Sequence, residues 1–158
     1  MKITMEHTAL VGDIGEMLGH IILLENGFTN VVNANDVEPN FPWADLIAVK
    51  RKYLIRKKKY LISSKTRNYY QNNGKPNTSI KLNLASTALH KAIKKYPDHI
   101  PAWLVIYFNK EPKKYDAYFG LVSDLPKNTG SVNLLKYGKC LFKDRPLGYR
   151  AIKYLNNR

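Results

Sequence analysis

The sequence predicts an α/β fold: a central mixed sheet flanked by helices, followed by a basic C-terminal extension. Three observations carry this expectation. Two segments, residues 8–27 and 79–96, repeat apolar residues every three or four positions, as amphipathic helices do. Short apolar runs rich in β-branched residues lie between and after them. One of these, A-W-L-V-I-Y-F at 102–108, is continuous, the pattern of a central strand buried on both faces. The resulting order is helix, three strands, helix, strand, strand. A chain of 158 residues suits one domain over 1–158, with a core over about 8–123 and the extension over about 124–158.

In the first helix, Leu10, Ile14, Met17, Ile21 and Leu24 form one apolar stripe, and Asn26-Gly27 supplies a left-handed stop. Gly12, Glu16, Gly19 and His20 fall on another side, where the glycines permit close approach of a backbone or a ligand. Asp13 and Glu16 also have the spacing of a capping box. The helix begins before Asp13, however, and that leaves Glu16 available for a functional role.

Residues 28–37 read as a strand centred on Val31 and Val32, and an Asn/Asp/Pro-rich loop follows. Asp36 and Glu38 lie there, read as turn residues facing water. Residues 46–49 and 60–62 are the cores of the next two strands. Asp45 opens the first of these, and Ser63 and Lys65, two apart and on one face, close the second. Between them, Lys50, Arg51, Lys52, Arg56, Lys57, Lys58 and Lys59 surround Tyr53-Leu54-Ile55. Protecting a sheet edge takes one or two charges rather than seven, so phosphate contact explains them better. Tyr69 and Tyr70, beside Arg67, either stack on bases or cover the edge of the core. Lys91, Lys94 and Lys95 lie off the apolar stripe of the second helix and read as a solvated face. Residues 115–122 form a further strand. The Lys/Tyr-rich tail, with a short helix over 147–155, braces the sheet, contacts nucleic acid or forms a dimer surface.

Charge is distributed unevenly along the chain. Residues 1–49 hold seven acids and one base, residues 50–67 nine bases and no acid, and residues 68–158 sixteen bases and five acids, for a net +14. An acidic first third and a basic remainder suit a protein that gathers carboxylates at one spot and tracks a polyanion elsewhere. No apolar run reaches the roughly 18 residues of a membrane span, and no segment reads as a basic amphipathic membrane helix. A secretory signal is absent, and the single Cys140 excludes an internal disulfide framework and a cysteine-based zinc site, so a reduced, cytoplasmic protein is expected.

With Glu16 in the first helix, Asp45 in A-D-L-I-A-V and Ser63-Ser64-Lys65 in Y-L-I-S-S-K-T, the element order resembles the PD-(D/E)XK nuclease superfamily, which includes restriction endonucleases and archaeal Holliday-junction resolvases. The opening G-D-I-G-E-M-L-G-H-I-I-L-L-E-N-G-F is similar to the first helix of the resolvase-like members. The likeness spans about residues 8–110. It implies a restriction-endonuclease-like αβββαβ core and a metal-dependent endonuclease acting on duplex or branched DNA, with Mg²⁺ or Mn²⁺ as cofactor and a homodimer as the assembly. It also implies the site: Glu16 and Asp45 as metal ligands, and Lys65 positioning the attacking water or stabilising charge on the phosphate. Lys50, Arg51, Lys52, Arg56, Lys57, Lys58, Lys59 and Arg67 would grip phosphates.

Ser63 departs from the motif, which has Asp or Glu there. A hydroxyl can occupy a coordination position but brings no negative charge, leaving Asp45 and Glu16, with Asp36 or Glu38 as replacements, to hold the cation. Losing a single ligand or its outer-shell support commonly costs about 10- to 100-fold in metal affinity or activity. A second reading therefore rests on Ser63: a catalytically weakened or inactive nuclease-fold protein that binds nucleic acid. A third, a structural or interaction domain whose charge serves solubility, predicts flat salt dependence of DNA binding.

Overall fold

The computed structural model describes residues 5–52, 56–71, 73–108, 114–127 and 131–148, with side chains from position 12 onward except those of Asp13, Lys52, Val132 and Leu134. Among them, α1 (Met5–Glu25) leads into β1 (Phe28–Asn33), a one-turn helix α2 (Ala34–Val37), β2 (Leu46–Lys52) and β3 (Arg56–Asn68). After β4 (Ser79–Ile80) and α3 (Thr87–Lys95) come β5 (His99–Phe108), β6 (Lys114–Leu121), β7 (Val132–Asn133) and β8 (Lys139–Pro146). Six strands form one mixed sheet in the order β1-β2-β3-β5-β6-β8, while β4 and β7 pair separately. Only the β3–β5 pairing in the large sheet is parallel. A parallel neighbour requires a crossover, and α3 supplies it. The α/β architecture and the αβββαβ order agree with the expectation from sequence.

The run over 102–108 is the central strand its composition predicts, buried at every position. Burying each large apolar side chain contributes roughly 1.5–3 kcal/mol, so β5 anchors the sheet. One face of the sheet packs against α1 through Ile14, Leu18, Ile22, Leu46, Ile62 and Leu104. The other carries Leu61 against Ala92 of α3, with Phe41 and Ala44 from the loop before β2.

Several boundaries differ from the sequence-based expectation. The α1 stripe that faces the sheet is Ile14, Leu18, Ile22 and Leu23, while Met17, Ile21 and Leu24 are exposed. The helix is apolar nearly all round, so its period admits two orientations, and the glycines decide between them. A Cβ on Gly15 would lie 1.9 Å from Thr66 Oγ1, and one on Gly19 3.0 Å from Leu46 Cδ1. Turning that side inward seats α1 on Thr66 of β3 and Leu46 of β2.

The expected strand over 28–37 gives way to α2 at Ala34, where Asn33 caps the turn by accepting from the Asn35 amide. The helix expected over 79–96 occupies only Thr87–Lys95. Ser86 caps it, accepting from the Leu89 amide, and Asn83 upstream adopts a left-handed φ of 53° that interrupts any helix. Gly27, at φ 80°, stops α1 as expected. In the tail, β8 pairs with β6 at the sheet edge. The helix expected over 147–155 falls largely outside the described residues, as do Tyr53, Leu54 and Ile55. Among the described residues, no helix is long and apolar enough to cross a membrane.

Candidate active site

Asp45 precedes β2 and is pinned through its backbone: its N–H donates to Ile62 O at 2.9 Å, and its carbonyl accepts from Ala34 N–H at 2.9 Å. The antiparallel register pairs Leu46 with Ile62. One step further along, Asp45 lies level with Ser63, on the face opposite α1. The chain reaches this point through Trp43, whose φ of 65° lies in the left-handed region that bulky residues avoid. Its indole Nε1 donates to Leu82 O at 2.9 Å, which anchors the strained loop.

Three groups converge on one oxygen of Asp45. The Ser64 amide donates to Oδ2 at 2.7 Å, the Ser63 hydroxyl approaches at 3.4 Å, and Lys65 Nζ stands 3.8 Å away. Among the described residues, Oδ1 takes no hydrogen bond. Ser63 is 2% exposed, whereas the side chains of Asp45 and Lys65 are 41% and 28% exposed. The serine thus acts from beneath the carboxylate, and the two charged groups present themselves to solvent.

Glu16 arrives from the other side of the sheet end. It lines, together with Asp45 and Lys65, a cleft of about 200 Å³ that also includes Gly12, Gly15, Ser64, Thr66 and Arg67. Gly15 makes this possible, because its missing side chain lets α1 lie directly on Thr66. Sequence reasoning did not single out Gly15, Ser64 or Thr66. A glycine inside an otherwise apolar helix was the available signal for the first. The Ser64 amide acts through its backbone and leaves no signature in residue type.

The structure does not bring Asp36 or Glu38 to this cleft. Asp36 is exposed on α2, and Glu38 is held by Lys95 at 2.5 Å and Tyr96 at 3.1 Å. The hydrogen bond from Lys95 lowers the Glu38 pKa. Neither acid replaces the one missing at position 63, and among the described residues no group of three or more acids, histidines or cysteines is placed to hold a metal.

The basic residues divide between two places. Arg67 lines the cleft. The hairpin bases sit at the far end of β2 and β3, about 20 Å from Asp45 at the strand rise. There the register sets Lys50 opposite Lys58, Arg51 opposite Lys57 and Lys52 opposite Arg56. Arg51, Arg56, Lys57, Lys58 and Lys59 are exposed, and Lys59 pairs with Asp98 at 2.6 Å. Lys50 lies over the Phe28 ring, and burial, followed by repulsion from Lys139, lowers its pKa. Tyr69 packs edge-on against Tyr107 and covers the core margin, and Tyr70 is exposed beside it.

No protein-family model matches the chain. No curated protein matches it. Among solved structures it is similar to Hjc of Archaeoglobus fulgidus, a Holliday junction resolvase from an archaeal hyperthermophile. The identity is 16% and the TM-score 0.48, over 88% of this chain and 97% of that one.

Two carboxylates facing one open cleft fit a hard divalent cation such as Mg²⁺, which is commonly held by one or two carboxylates together with waters and substrate phosphate. Asp45 keeps an oxygen without a hydrogen bond among the described residues, and Glu16 is exposed on the opposite wall.

Proposed function

We propose that this chain is a metal-dependent endonuclease hydrolysing DNA phosphodiester bonds. The observation that carries the reading is the meeting of Glu16, Asp45, Lys65 and Arg67 along one cleft, with Ser64 and Ser63 fixing the Asp45 carboxylate. Glu16 and Asp45 hold Mg²⁺ or Mn²⁺. A cation bound there makes a coordinated water more acidic and offsets charge on the phosphoryl oxygens.

The chain's own groups supply the rest. The Lys65 ammonium, set beside Asp45, orients the attacking water or stabilises charge that develops on the phosphate. Arg67, two residues along the same strand, grips a neighbouring phosphate in the fork geometry suited to it. Ser63 contributes no charge. Its hydroxyl holds Asp45 in place, and the Ser64 amide fixes the same oxygen more tightly.

Plasmid nicking with Mg²⁺ or Mn²⁺ tests this reading. Asp45→Ala and Lys65→Ala are each expected to lower the nicking rate at least 100-fold, and chelation to abolish nicking, while DNA binding in chelator persists. Nicking unchanged by both substitutions rules out this site.

A further inference from the structure

A second concave surface lies away from the cleft. The lysine face of α3 and the loop before β2 enclose a groove of about 760 Å³, lined by Lys91, Lys94, Lys95, Thr87, Glu38 and Pro42. Lys91, Lys94 and Lys95 are spaced three and four apart and therefore share one side of the helix, opposite the buried Leu89 and Ala92. Lys94 and Lys95 stand in the last turn, where cations complement the helix dipole. Lys91, in mid-helix, has no such role. Glu38 neutralises Lys95, and among the described residues Lys91 and Lys94 pair with no carboxylate.

The position of α3 gives these charges a use. Leu61, packed against α3, shares its face of β3 with Lys57, Lys59, Ser63 and Lys65 by alternation. The groove's lining includes Thr87, at the start of α3, and Pro42, three residues before Asp45 and so within roughly 11 Å of it. Its Lys95 end leads to Asp98, which pairs with Lys59 at the base of the basic hairpin, and β5 then starts with His99 opposite Lys59. The helix thus runs from the cleft to the hairpin. Between Lys65 and Lys59 the strand covers about 20 Å, the axial length of about six phosphates on one DNA strand. Without α3, a strand laid from cleft to hairpin on this face would pass that interval with little contact.

We infer that the α3 groove is a phosphate-binding site that joins the cleft to the hairpin, so that one DNA strand is held continuously across Lys91 and Lys94. The inference rests on the nuclease reading for the identity of its ligand, and it adds a site and a path. Glu38 acts in it as a brake, since it occupies Lys95 and places a carboxylate where phosphates would lie.

The test is the salt dependence of binding to a labelled DNA duplex, measured by fluorescence anisotropy with the full chain in chelator, between about 50 and 200 mM salt. Lys91→Ala/Lys94→Ala is expected to lower the slope of log affinity against log salt by about two, at about 0.9 per phosphate contact. Glu38→Gln, which releases Lys95, is expected to tighten binding and steepen the slope by about one. Lys136→Ala/Lys143→Ala serves as a control of equal charge outside the groove and is expected to change the slope by less than the groove pair. An unaltered slope in the groove pair, an equal loss in the control, or weaker binding by Glu38→Gln overturns the groove and leaves the cleft reading standing. A wild-type chain that does not bind DNA overturns both.

Discussion

The two ends of the β2–β3 pair are built on opposite electrostatic plans. At the cleft end, Asp45 is answered locally by an amide, a hydroxyl and an ammonium, all on one oxygen. At the hairpin end, three successive cross-strand pairs oppose like charges: Lys50 and Lys58, Arg51 and Lys57, Lys52 and Arg56. Like charges directly opposite each other destabilise a sheet. The first end is organised by the fold itself. The second works against the fold, and the proposed function gives its charge a polyanion to neutralise it. Under the proposed function, that contrast assigns the chemistry to one end and the grip to the other.

The strongest way to sharpen the contrast is to give the cleft end the carboxylate it lacks. Ser63→Glu is expected to raise nicking at limiting Mg²⁺ by about 10- to 100-fold, the scale on which a metal site responds to a change in its supporting groups. Without metal, the new charge lies beside Asp45 at a position 2% exposed, so the variant should melt below the wild type. Mg²⁺ should then raise its melting temperature more than it raises that of the wild type. Nicking assays across a Mg²⁺ titration and thermal melts with and without Mg²⁺ read both effects. A variant that matches the wild type in both shows that position 63 does not face a metal.

Much of this plan was legible in the sequence because it depends on order and alternation. The buried run over 102–108 fixed the central strand, and the two-residue spacing of Ser63 and Lys65 fixed their shared face. Three features were hidden, each for a physical reason. The orientation of α1 was ambiguous because Ile14, Leu18 and Ile22, spaced four apart, align on one side as Met17, Ile21 and Leu24 do on another. The start of α3 was misplaced because Leu82 keeps the helical period of Leu89 and Ala92 while packing in a separate cluster with Trp103. The fate of Glu38 turned on Lys95, 57 residues away, a contact that no local pattern encodes.

The cleft end can also be disturbed through packing, without touching a charge. Gly15→Ala places a methyl group 1.9 Å from Thr66 Oγ1, so α1 or β3 must shift. Overpacking of this kind costs about 1–3 kcal/mol, and the shift carries Glu16 away from Asp45. Gly12→Ala is the matched control, because its methyl meets nothing within 4 Å. It should stabilise the helix by roughly 0.5–1 kcal/mol. Urea melts are expected to move in opposite directions for the two variants, with nicking reduced in Gly15→Ala. Equal stabilities would show that α1 is not seated on Thr66.

The smallest effect is the most direct probe of the hairpin end. Lys57→Glu converts the repulsive pair with Arg51 into an attractive one, worth about 0.2–1 kcal/mol for a cross-strand pair. Both residues are exposed, so the gain should fade as salt shortens the Debye length to about 8 Å and below. DNA binding should move the other way, with lower affinity and a shallower salt slope, because a phosphate contact has been replaced by a like charge. Stability and binding changing with opposite sign in one variant is the behaviour of charge retained for a partner. If Lys57→Glu instead leaves DNA affinity intact, the hairpin does not grip phosphate, and binding has to be sought in the cleft and along α3.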